Sequence, residues 1–155
     1  MGELAPERAL ALGRRMSACA VRSRLKGWPN GLRFLGVDED GEPDGRDGIV
    51  VPGGYLEDDQ VRDNYERQLC GRVAVENPPD LRDPATAGLL PMLVREVLGL
   101  PRISARWNAF RRQWEVEPID LLERDYRRLK LDAGRSTLGT GPTEAEAWLA
   151  AWESV

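Results

Sequence analysis

Residues 83–99, DPATAGLLPMLVREVLG, constrain the fold of this chain more than any other segment, because both ends of a helix are marked there. Asp83 can accept hydrogen bonds from the free amides of a first turn, Pro84 suits the first helical position, and Gly99 followed by Pro101 supplies the stop. Between these signals Ala85, Leu89, Leu90, Leu93, Val97 and Leu98 fall largely on one face, with Arg95 and Glu96 on the other. The spacing predicts an amphipathic core helix. Pro91 lacks an amide and crowds the preceding turn, so a kink or a short separate first turn is expected.

Other elements can be placed around it. Residues 5–20 predict a first helix, with Pro6 near its start and Ala9, Leu10, Leu12, Met16 and Ala20 on its apolar face. GWPNG at 27–31 is a turn by composition. A strand over 32–37 is expected to pair as a hairpin with the β-branched run Ile49, Val50 and Val51 across an acidic loop. That loop is too long for a tight turn and is expected to be mobile. A helix is predicted over 57–70 from Leu56, Val61, Tyr65 and Leu69, then a strand over 72–76. Residues 103–108 and 113–117 alternate well enough to form an antiparallel pair, with Trp107 and Trp114 expected to pack on the helices. Pro118 opens a charged helical arm over 118–135, in which Ile119, Leu122, Tyr126 and Leu129 share a face. Thr143 and Glu146 spell a capping box for a last helix, whose Trp148, Leu149 and Trp152 must be covered by the sheet or by a second subunit.

These elements describe an α/β (α+β) single domain: a mostly antiparallel sheet flanked by helices in a layered sandwich, with an acidic insertion at 38–66. The 155 residues suffice for one core. No apolar run approaches the ~20 residues that span a bilayer, and the basic residues of the N-terminal stretch follow its apolar ones, opposite to a secretory signal. A cytoplasmic protein with no membrane partner is expected. Cys19 and Cys70 have no CxxC pairing and are expected to be ordinary thiols.

The absence of histidine excludes Ser-His-Asp and Cys-His catalysis and His-based zinc sites. Paired carboxylates such as Asp58 and Asp59, or Asp120 and Glu123, are better explained as first-turn helix charge, so no catalytic residue, cofactor or metal is assigned. The net charge of −4 argues against generic nucleic-acid binding. Charge is unevenly spread, with six basic residues and no acid over 8–26, and eleven acids against Arg46 and Arg62 over 38–66.

Three constellations invite a ligand. Asp40, Glu42, Asp44 and Gly45 imitate the start of a calcium loop, but its twelfth position is Val51 and a solvated acidic loop is expected. The glycine-rich run 138–143 feeds a helix N-terminus as phosphate loops do, yet it lacks Gly-Lys-Ser/Thr, and Glu144 and Glu146 would repel an anion. Arg102, Arg106, Arg111 and Arg112, interleaved with Trp107, Phe110 and Trp114, combine guanidinium forks for phosphate with aromatic faces for bases.

The stretches DLRDPATAGLLPMLVREVLG and LGTGPTEAEAWLAAWES resemble the small bacteriophage and prophage proteins that carry the phage ABA sandwich domain. The resemblance covers about half of the chain, counted over 81–117 and 136–153. Pro91, the acidic segment and the arm at 118–135 depart from it. It implies a layered sheet-and-helix fold and a phage origin, and it carries no activity to any residue. The expectation that follows is a non-enzymatic, phage-encoded binding protein, a homo-oligomer, acting in the host cytoplasm against antiviral defence. Its ligand is either a small cyclic or linear nucleotide, held by Arg102, Arg106, Trp107, Arg111, Arg112 and Trp114, or a basic host effector occluded through Asp38, Asp40, Asp44, Asp58 and Asp59. The alternative is a virion structural or assembly protein that self-associates through its Trp-rich last helix.

Overall fold

The computed structural model describes residues 4–25, 27–52, 54–57, 60–63, 78–119, 124, 127 and 137–155. They form an α+β fold with three helices and two small antiparallel sheets, in two compact units, Met1–Leu89 and Leu90–Val155. The unit boundary falls inside a helix. Sequence patterning alone predicts one sheet; the strands separate into two sets because the pairs at 33–63 and at 103–141 share no ladder.

In the first unit, helix α1 (Pro6–Arg22) opens with proline at its first position and buries Ala9, Leu10, Leu12, Met16 and Ala20, the expected face, together with Ser17 and Cys19. The first sheet runs β1 (Arg33–Phe34), β2 (Gly48–Val51), β3 (Gly54–Glu57), β4 (Gln60–Asp63), each strand antiparallel to the next. The hairpin of β1 with β2 agrees with expectation, with Arg33 opposite Ile49. Only two residues of the expected strand 32–37 are extended in the sheet. Beyond Leu35 the chain is diverted, since Leu35 N donates to Pro78 O (2.8 Å) and Val37 bridges Pro43.

The predicted helix over 57–70 is corrected at Glu57, which closes β3, and at Gln60–Asp63, which form β4. Leu56 and Val61 are partners across the β3–β4 ladder, not neighbours along a helix. Their separation of five residues already departs from helical spacing, and the open edge of β2 offers the backbone a ladder that a helix cannot use. Residues 64–70, Cys70, the strand expected at 72–76, and Asp58 and Asp59 lie outside the described residues, as does most of the arm at 118–135, including Asp120 and Glu123. Arg124 and Arg127 are helical, but Pro118, expected to open the arm as a helix, is instead the last residue of a strand paired with Ile103.

The acidic segment is tied down within 36–47. Asp38 Oδ1 accepts from the amides of Asp40 and Glu42 (both 2.9 Å), Asp44 Oδ1 from Arg46 N (2.8 Å), and Asp47 Oδ1 from Gly36 N (3.0 Å). Arg14 donates to the Gly41 carbonyl. Short Asx-type bonds thus replace the ladder that a tight hairpin would supply.

Helix α2 (Pro84–Leu98) carries the unit boundary and runs through Pro91 without interruption. Asp83 Oδ2 accepts from Thr86 N (2.9 Å) and from the Thr86 hydroxyl (2.8 Å), and Gly99 takes a left-handed φ of 65°, so both end signals act as read. Its buried stripe is Thr86, Leu90, Leu93, Val94 and Leu98; Ala85 is exposed, because the buried hydroxyl of Thr86 also accepts from Arg33 N (2.8 Å) and rotates that side of the first turn inward.

In the second unit, β5 (Ile103–Asn108), β6 (Gln113–Pro118) and β7 (Gly139–Gly141) form the second sheet. Helix α3 (Glu144–Glu153) packs on β7 and β6 and buries Ala147, Trp148, Leu149, Ala151 and Trp152. A Cβ at Gly139 would lie 2.8 Å from Ala151 Cα and closer still to the Ala151 amide, so the strand is glycine because the helix backbone rests on it. Arg95 joins this unit from α2: its Nε donates to Ile103 O (3.0 Å), and its guanidinium carbon stands 5.3 Å from the Trp148 ring centroid. The α3 tryptophans are covered within the chain, and no second subunit is needed to bury them.

Candidate site on the hairpin of β5 and β6

Strand alternation decides which of the arginines and tryptophans can act together. Ile103, Ala105 and Trp107 point to one face, opposite Pro118, Val116 and Trp114; Ser104, Arg106 and Asn108 point to the other, opposite Glu117, Glu115 and Gln113. The first face is the core face, since Ile103 and Val116 are buried on it and α3 packs against its Gly139 and Gly141. Trp107 and Trp114 continue that face toward the loop end of the hairpin.

The expectation that these two tryptophans pack on the helices is corrected for Trp107, which remains 48% exposed. The two rings pack on each other, centroids 6.0 Å apart and planes inclined at 66°, with Trp114 the less exposed and opposite Gly141, on which α3 rests. The aromatic cover of the sheet comes from Trp148 and Trp152 instead, because α3 meets β7 and β6 and reaches only sparsely to β5.

Arg106 is not part of this aromatic group. It lies on the opposite face and pairs with Glu117, Nε to Oε2 at 3.2 Å. Next to that pair, Asn108 donates from its side-chain amide to the buried carboxylate of Glu115. The second face thus carries one ion pair and one buried, hydrogen-bonded carboxylate. Arg102 is exposed but precedes β5, at the end of the ladder away from the loop, where its carbonyl accepts from Ile119 N (2.7 Å). About seven residue steps of strand, or ~23 Å, separate it from the loop arginines. The structure does not bring the six predicted ligand residues to one place. It leaves Arg111 and Arg112 in the loop that follows the Trp107–Trp114 rung by one residue pair.

The loop at 109–112 brings forward Phe110, which the sequence places among the aromatic faces but not among the six expected ligand residues. Phe110 stands at its apex with 97% of its surface exposed, flanked by exposed Arg111 and Arg112. Asn108 builds this apex, its Oδ1 accepting from the amides of both Phe110 and Arg111 (3.0 Å each). An Asn just before a four-residue connection is an Asx-turn signal, and it was legible in the sequence. Arg112 closes the loop with φ of 54°, a left-handed conformation that an ordinary L-residue adopts at a cost of ~1–2 kcal/mol. Arg24, just after α1, takes the same left-handed conformation (φ 57°), so the feature is not confined to this loop.

The remaining candidates have other roles. Among the described residues no group of three or more acidic or cysteine side chains is gathered as metal ligands. Val51, at the twelfth position of the calcium-like pattern, is a strand residue of β2. Asp38, Asp40 and Asp44 are exposed, with Asp38 and Asp44 engaged on backbone amides as described. The glycine-rich run is strand β7 and the entry to α3, where Thr143 Oγ1 accepts from Glu146 N (3.2 Å) and donates to the Glu146 carboxylate (2.8 Å). Cys19 is buried in α1. No helix of the described residues is long and apolar enough to cross a membrane. No protein-family model, curated protein or solved structure matches this chain.

Proposed function

We propose that this chain is a non-enzymatic binding protein whose contact element is the loop end of the β5–β6 hairpin, and that the ligand it holds there is of the nucleotide class. One observation carries the reading: a fully exposed phenylalanine and two exposed arginines sit on a hydrogen-bonded turn, one residue pair beyond the half-exposed Trp107 and its partner Trp114. Guanidinium groups suit phosphate and aromatic faces suit bases. The biological setting we propose, a phage protein that sequesters a nucleotide signal of host antiviral defence, rests on the resemblance of residues 81–117 and 136–153 to phage ABA sandwich proteins and on no motif.

Occlusion of a basic host effector is the second reading, supported by the outward carboxylates of an acidic loop held in shape by its own backbone bonds. The virion-assembly alternative drew on the α3 tryptophans as a self-association face, and those side chains are buried within the chain.

Thermal unfolding against a panel of cyclic and linear nucleotides tests the first reading. The expected result is a rise in Tm with at least one of them, lost in Arg111→Ala. Stabilisation by none, together with capture of one basic host protein that Asp40→Asn and Asp44→Asn release, would replace it with occlusion.

A further inference from the structure

We infer that the ligand of the hairpin is a single-stranded oligonucleotide, with bases stacked on Phe110 and Trp107 and phosphates on Arg111 and Arg112. This rests on the proposed nucleotide-binding reading and narrows it. The aromatic surfaces are strung along the hairpin. Phe110 is at the apex, and the Trp107–Trp114 rung lies one residue pair below the Asn108–Gln113 rung that closes the loop. A mononucleotide has one base and can use one of these surfaces. A short single strand can use both, and each stacked base multiplies affinity by roughly ten to a hundred.

The arrangement also discriminates between kinds of polyanion. The loop is a narrow projection, and Arg106, on the other sheet face, is paired with Glu117, so there is no broad basic surface on this hairpin to follow a duplex backbone. Unstacked bases, by contrast, can be splayed onto isolated rings. A chain with net charge −4 further limits binding to what this one projection supplies.

The experiment is fluorescence anisotropy of a labelled oligothymidylate of about fifteen nucleotides, titrated with the full chain at low salt. Saturable binding is expected, weakened about tenfold or more both by Phe110→Ala and by the double variant Arg111→Ala/Arg112→Ala. The slope of log K against log salt should be near −1.4, two phosphates at about −0.7 each. Phe110→Ala removes an exposed ring, and an unchanged far-ultraviolet circular dichroism spectrum and Tm separate lost contact from lost fold. No binding of the oligonucleotide overturns the inference. If adenosine monophosphate or a cyclic dinucleotide then binds in an Arg111-dependent way, the nucleotide-class reading survives; if neither binds, both fall. Binding equally strong in Phe110→Ala, or Phe110-dependent co-sedimentation with phosphatidylglycerol vesicles in place of oligonucleotide binding, also overturns it.

Discussion

Trp107 and Trp114 occupy one rung of the β5–β6 ladder and meet edge to face, with centroids 6.0 Å apart and an interplanar angle of 66°. The pair forms the boundary between the buried part of the sheet, where Ile103 and Val116 lie under α3, and the exposed loop. Edge-to-face aromatic pairs contribute about 0.5–1.5 kcal/mol beyond area burial. A double-mutant cycle with Trp107→Ala and Trp114→Ala should return a coupling in that range from urea unfolding. Trp114→Ala should cost more than Trp107→Ala, because Trp114 is the less exposed ring. A coupling near zero would mean that the two rings are not in contact.

Relief of strain at the apex gives a second test. Arg112 holds a φ of 54°, which glycine adopts without penalty. Arg112→Gly should raise stability by about 0.5–1 kcal/mol after the entropic cost of glycine is subtracted. The same substitution should weaken ligand binding at the loop. A Tm that falls would contradict the left-handed assignment.

Gly139 has no room for a side chain against α3. Gly139→Ala should push β7 away from the helix and destabilise the second unit by about 1–3 kcal/mol or more, measured by denaturant unfolding with Trp148 and Trp152 as fluorescent reporters. Thr140→Ala, at the exposed position between the two strand glycines, should change stability by less than about 0.5 kcal/mol.

The start of α2 is held by one carboxylate with two bonds to Thr86, whose hydroxyl in turn receives the amide of Arg33. Asp83→Ala removes the cap and leaves a buried hydroxyl with one partner fewer, and should cost about 2 kcal/mol. Asp83→Asn keeps an acceptor in place and should recover about half of that. Equal losses in the two variants would assign the effect to charge, which the Arg33–Asp83 separation of 3.8 Å with a half-exposed arginine makes the smaller part.

Local chemistry made much of this molecule legible from its residues alone. Proline at the first turn, an aspartate cap and a left-handed glycine bound α2; the Thr143–Glu146 box bounds α3; alternation marks β5 and β6. Each of these signals acts within about four residues, so no knowledge of the rest of the chain was needed. What failed depended on partners distant in sequence. Leu56 and Val61 read as one helix face and are instead opposite one another on two strands, because β2 supplies an edge to β3 and β3 in turn supplies one to β4. Trp107 was expected against a helix and stands half-exposed beside Trp114, because α3 lies on β7 and β6 and reaches β5 only sparsely. For the candidate site the division is the same. Composition assembled arginine and tryptophan in one hairpin, but only the register of the ladder separated Arg106 from the rings and turned it to Glu117, and only the turn built by Asn108 carried Phe110 into solvent. Propensity and capping are properties of neighbours along the backbone, whereas facing, exposure and pairing are set by whichever distant surface arrives to bury or to bond a group.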